Sequence, residues 1–168
     1  MAAGSTYTPI ATTTLGSTAS SYTFSSIPST YTDLVLVSNA ATTVANKDLA
    51  IQFNSDTGTN YSRTVLFGDG SSAGSTRSTS TAHIWLDYYG WTTTTLGTQT
   101  NIAQIMNYAN TTTYKTVLAR SNTSSSGVDA AVGLWRNTAA VTSITIIATT
   151  SGVFSSGSTF TLYGITAA

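Results

Sequence analysis

His83 is the only imidazole in the chain, and there is no cysteine, so nucleophilic and metal chemistry have few residues to draw on. The acids are six aspartates, Asp33, Asp48, Asp56, Asp69, Asp87 and Asp129, with no glutamate. A Ser-His-Asp triad would have to run through His83. Asp87, on the same face of an extended chain, is too far along a strand rising about 3.3 Å per residue for a direct bond, and no Gly-x-Ser-x-Gly elbow is present. Glycoside hydrolysis needs two carboxyls held about 5 to 9.5 Å apart, whereas Asp48, Asp56 and Asp69 sit in turn-like contexts where aspartate serves its own backbone. The run Asn54-Ser55-Asp56-Thr57-Gly58-Thr59-Asn60 offers alternating oxygen ligands, as a calcium loop does, but lacks the distal bidentate acid; a tight turn fits it better. Asn-x-Ser/Thr triplets at Asn60, Asn110 and Asn122 arise by chance in so hydroxyl-rich a chain. No residue is assigned a catalytic, metal-binding or cofactor-binding role, and the chain reads as a non-enzyme.

The constellation with most chemical content is Ala82-His83-Ile84-Trp85-Leu86-Asp87-Tyr88-Tyr89-Gly90-Trp91. Strand alternation assigns Ile84, Leu86 and Tyr88 to one face, the core side, and His83, Trp85, Asp87 and Tyr89 to the other. Rings mixed with polar groups suit a protein interface or a sugar-stacking platform, or a Trp lying beneath a loop. Trp135 shows a similar split: Val132 and Leu134 point one way, Asp129, Ala131 and Trp135 the other. The candidate contact residues are therefore His83, Trp85, Asp87, Tyr89 and Trp135.

The elements that must position these residues are strands. Serine and threonine make up more than a third of the chain, yet it is cut into period-two apolar stripes such as Leu49, Ile51 and Phe53. Without stripes this composition would be a disordered stalk; with them it is a sheet protein coated in hydroxyls, since the β-branched Thr suits a pleated, half-buried surface. The pattern predicts about ten strands, over 7–15, 21–27, 32–38, 48–54, 61–67, 82–89, 101–108, 114–121, 129–136, 141–149 and 159–166. The 32–38 strand is apolar on both faces and reads as central. Ile102 and Met106 fall out of phase with a clean alternation. Residues 68–80, rich in Gly and Ser, read as a loop. Pro9 marks 1–15 as an extended arm or an edge strand. The spacing predicts one all-β domain over 1–168, an antiparallel sandwich of two sheets of four or five strands with jelly-roll winding and no long helix.

Charge excludes several partners. Six basic residues balance six acids, and only 7% of the chain is charged, so there is no electrostatic footprint for nucleic acid or an anionic membrane. No apolar run reaches the length of a membrane span, and no signal peptide is visible. The expectation is synthesis in a cytoplasm and function in an assembly, where low charge is tolerated because much of the surface meets protein.

Several stretches carry a resemblance. Thr6-Tyr7-Thr8-Pro9-Ile10 through Leu15, Tyr22-Thr23-Phe24 with Ile27-Pro28, and Ile51-Gln52-Phe53-Asn54 through Tyr61, together with the closing Phe160-Thr161-Leu162-Tyr163-Gly164-Ile165, resemble small structural proteins of tailed bacteriophages. The likeness covers the first third and the last strand; residues 70–150 match in style only. It implies a β-sandwich of the virion. Such proteins serve as capsid decoration (cement) proteins, often trimeric, or as distal modules of tail fibres and tailspikes. A chain with no stalk, heptad or collagen-like repeat points to decoration of the capsid outer surface. Its partners would be the major capsid protein and copies of itself in a homotrimer. The alternative is a tail module recognising host cell-surface glycan.

Overall fold

The computed structural model describes residues 6–45, 47–88, 99–123 and 127–166. The strands are β1 (Tyr7–Thr14), β2 (Ser21–Phe24), β3 (Asp33–Ala40), β4 (Leu49–Phe53), β5 (Tyr61–Gly68), β6 (Ala73–Thr81), β7 (Ile84–Trp85), β8 (Gln99–Met106), β9 (Lys115–Thr123), β10 (Gly127–Trp135), β11 (Ile144–Ala148) and β12 (Thr159–Ile165). They form two wholly antiparallel sheets. One holds eight strands in the order β1-β12-β3-β8-β9-β10-β5-β6, the other four in the order β2-β11-β4-β7. The sandwich is as expected, but the division is eight and four rather than nearly even. No helix occurs among the described residues, so none is long and apolar enough to cross a membrane.

The core lies between the sheets and follows the period-two stripes. Leu34, Leu36, Ile105, Val117, Phe160 and Leu162 come from the large sheet; Leu49, Ile51, Phe53, Ile144 and Ile146 come from the small one, and all are fully buried. Each such side chain contributes about 1.5–3 kcal/mol by leaving water. Two glycines admit close neighbours. A Cβ on Gly133 would run into Ile84 of β7, and one on Gly164 into the ring of Tyr31. Gly133 thus lets the short strand β7 settle onto the inner face of β10.

Three differences from the sequence pattern have physical causes. Residues 73–81 form β6, not a loop: they are small and polar on both faces because β6 is an edge strand paired only with β5. The aromatic strand expected over 82–89 shrinks to Ile84–Trp85, since only Ala50 and Ile51 pair with it. Third, the turn expected over 54–60 takes its left-handed backbone at two residues other than glycine, Asn54 and Ser55 (φ 51° and 56°). Asn54 stabilises this turn by accepting from Thr142 N (2.8 Å) and Ser143 N (3.1 Å) and by donating Nδ2 to Ala140 O. Pro9 does mark an edge: β1 is the outermost strand, with a register shift between Pro9 and Ala11.

Candidate functional site: an internal polar cradle and an open sheet face

The aromatic-acidic constellation lies inside the fold. After β7 the chain leaves the ladder and runs over the inner face of the large sheet, where its backbone polar groups must find partners away from water. A row of inward polar side chains supplies them. Asn101 Nδ2 donates to Leu86 O (3.3 Å), Arg63 donates through Nη1 to Asp87 O, and Tyr88 N donates to Asp129 Oδ2 (2.8 Å). Asp87 in turn accepts from Leu49 N at 3.1 and 3.2 Å. Asn101, Asp87 and Asp129 are all buried. They sit where an all-apolar strand would be expected because the segment they hold is not a strand.

Burial pulls the Arg63 guanidinium below its ordinary pKa, opposed by the charges of Asp48, Asp87 and Asp129. Burial pushes Asp48 up, with Arg63 opposing and Asp129 reinforcing. Arg63 also lies over the Trp85 ring, 5.2 Å from its centroid, and His83 meets the same ring edge-on at 4.2 Å. Desolvation, helped by the Arg63 charge, lowers the His83 pKa, and its Nε2 is buried without a hydrogen-bond partner among the described residues. A cation-π stack of this kind stabilises the fold by about 1 kcal/mol.

Trp135 also faces inward, 1% exposed. Its ring stacks on Tyr61 (6.2 Å, 14°) and its Nε1 donates to Asp56 Oδ2 at 2.7 Å. Asp56 also accepts from Gly58 N (2.8 Å) and Asn60 Nδ2, which makes residues 54–60 a clamp between β4 of one sheet and β5 of the other. The candidate contacts therefore separate. Asp87 and Trp135 are buried and present no surface, while Trp85 and His83 are half-buried against Arg63. Tyr89 lies outside the described residues. The face assignment at Trp135 is inverted: Val132 points to solvent, while Asp129, Ala131 and Trp135 point to the core. Among the described residues no group of three or more His or Asp could hold a metal ion.

The open face is elsewhere, on the outside of the eight-stranded sheet. Leu66, Val128, Leu118 and Val132 are 63%, 62%, 48% and 43% exposed, unusually high for aliphatic side chains. The register aligns them into rows. Val35, Gln104, Leu118, Val132, Thr64 and Arg77 stand side by side across six strands, and Ile102, Arg120, Ala130 and Leu66 form the next row. The face is grooved. One hollow of about 630 Å³ is lined by Leu66, Ile102, Val128 and Ala130 with Arg120 and Asn122. A second, of about 270 Å³, shares Ile102 and Arg120 and continues over Val35, Gln104 and Leu118 to Tyr7. A third, of about 280 Å³, lies over Thr64, Val132, Leu134 and Arg77.

Sequence reasoning missed this face, although a signal exists. Val65-Leu66, Val117-Leu118, Ala131-Val132 and Ile102-Ala103 are apolar doublets, which place apolar groups on both sides of a strand. Only the 32–38 strand is read that way above. The chain matches no family model, and no curated protein is similar to it in sequence.

Proposed function

We propose that this chain is a structural protein of a tailed-phage virion, a capsid decoration protein that docks on the head shell through the outer face of its eight-stranded sheet. That face carries the reading. A contiguous aliphatic and hydroxyl surface, grooved and spanning several strands, marks a protein-contact site on an otherwise polar molecule. Threonines pair across strands at the β1–β12 margin of this same face, as Thr12 with Thr161 (3.2 Å), and on the outer face of the small sheet, as Thr23 with Thr145 (3.0 Å), so hydroxyl coating is general and the aliphatic patch is local. The resemblance of the first third and last strand to phage structural proteins supplies the biological setting. The partners are the major capsid protein and, in a trimer, copies of the chain.

Strand order supports the finer fold expectation. With β5, β6, β9 and β10 set aside, the sheets read β1-β12-β3-β8 and β2-β11-β4-β7. This interleaving of early and late strands is the order expected of a jelly roll, with two hairpins extending one sheet. The architecture serves viral capsid and lectin domains alike, so the choice between shell and glycan rests on the surface. Trp135 is buried and the Trp85 ring packs against Arg63 and His83, so neither of these two rings is an open stacking platform for sugar.

Quantitative mass spectrometry of purified particles tests this. Copies in the hundreds per particle, retained on tail-less heads, are expected; a few copies that fractionate with tails would replace decoration with a tail role.

A further inference from the structure

Resting on that reading, we propose that the outer face of the eight-stranded sheet receives an acidic, aliphatic protein segment, anchored by a carboxylate on Arg120 with Arg77 as a second cationic point. The argument starts from the whole chain's charges. All six aspartates lie among the described residues, and each is committed elsewhere. Asp87 and Asp129 are buried in the cradle, Asp48 lies beside Arg63, Asp56 holds Trp135, and Asp69 caps its own turn by accepting from Ser71 N and Ser72 N. Asp33, at the β3 end of this face, accepts from Asn107 N and Gln104 Nε2. Of the six cations, Arg63 and Lys115 are buried and donate to backbone carbonyls, Lys47 donates to Thr150 O, and Arg136 donates to Thr59 O. Arg77 and Arg120 remain. Both are exposed, neither donates to a described residue, and both stand on the aliphatic face.

Register places Arg77 three strands from Arg120 and one row over, roughly 16 Å at the usual strand and residue spacings. Arg120 and Ile102 form the ridge shared by the two hollows that run from Leu66 and Val128 to Tyr7. A segment lying in that track would cover the guanidinium with aliphatic groups, and exclusion of water strengthens an ion pair. The planar guanidinium fork binds a carboxylate through two parallel hydrogen bonds. A second copy fits poorly face to face: it would bring arginines onto a face whose one aspartate, Asp33, stands at the β3 end and already accepts from Asn107 N and Gln104 Nε2. A polyanion is poorly matched, because two cations on an aliphatic field release few counterions.

Two assays on the folded protein separate this inference from the head-decoration reading. In the first, the protein is titrated with an acetylated Val-Leu-Asp-Leu-Val peptide and its Asp-to-Asn counterpart while backbone amide shifts are followed by NMR. Saturable shifts at Ile102, Leu118 and Arg120 with the acidic peptide, reduced about tenfold or more in apparent affinity by the Asn peptide or by Arg120→Glu, are expected; Arg120→Lys should retain part of the response. Equal response to both peptides, or shifts confined to other surfaces, would overturn the inference, as would shifts with dextran sulfate and none with the peptide. In the second assay, wild-type protein, Arg120→Glu, Leu118→Asp and the opposite-sheet control Thr145→Glu are co-sedimented with heads stripped of the protein. Loss of binding in the first two variants alone supports the inference. Loss only in Thr145→Glu contradicts it and moves the docking face to the small sheet, leaving only head binding itself in place; failure of the wild type to bind heads, with a positive peptide titration, removes the decoration reading alone.

Discussion

At the scale of single residues, the clamp of Asp56, Trp135 and Tyr61 ties the two sheets together. The Trp135 Nε1–H to Asp56 bond is charge-assisted and partly buried, so Trp135→Phe should lower unfolding free energy by about 1–3 kcal/mol in urea titrations. Burial alone would raise the Asp56 carboxyl, but donation from Trp135, Asn60 and Gly58 overcomes it and leaves the pKa below its ordinary value. A carboxyl depressed in the folded state adds stability above its unfolded pKa and loses it as pH falls through the folded one. Trp135→Phe should therefore flatten the acid limb of the stability profile. At the alkaline end, burial and the Asp56 charge push the Tyr61 phenol up to about 12 from 10.0. A raised phenol keeps its proton in the folded state while the unfolded chain ionises. Stability should thus be intact below about pH 10 and fall between there and about pH 12, and Tyr61→Phe should reduce that fall. Gly133→Ala sets a methyl against Ile84; about 1–3 kcal/mol of destabilisation by thermal melting is expected, from strain in a filled core.

At the scale of elements, the legible parts were the strands with one apolar face. The stripe Leu49, Ile51, Phe53 gave β4 directly, and Pro9 with its neighbours gave an edge strand. What escaped was set by neighbours rather than by local pattern. β6 has no apolar stripe because, at an edge, its pairing to β5 carries it. The Trp85 strand was overcalled because its alternation is real but its ladder ends after two residues, where the backbone turns to the polar row of Asn101 and Asp129. The sidedness of β10 was inverted because Val132 and Trp135 are both apolar, and only the opposite sheet decides which is covered. That cradle makes its own prediction. Asp129→Ala leaves the Tyr88 amide without its carboxylate acceptor, which should cost about 1–3 kcal/mol and raise hydrogen exchange at residues 86–88 well above that of β3 and β8. Exchange unchanged at 86–88 would mean that the polar row does not hold the segment.

At the scale of the whole molecule, the charge distribution is the organising fact. Each aspartate accepts hydrogen bonds or lies beside a cation within the fold, and the two arginines left over share one aliphatic, grooved face. The composition announced low charge, but where the residual charge would stand depended on register across six strands, which no single-strand pattern contains. The reading of this protein as a shell-decorating module requires that face to be covered in the particle. An image of the intact virion at residue resolution is the most direct test. The account predicts the chain on the head surface with Leu66, Leu118, Arg120 and Val132 buried against shell protein and a carboxylate beside Arg120. A head on which these side chains face bulk water, or a particle in which the chain occurs only on the tail, would contradict it.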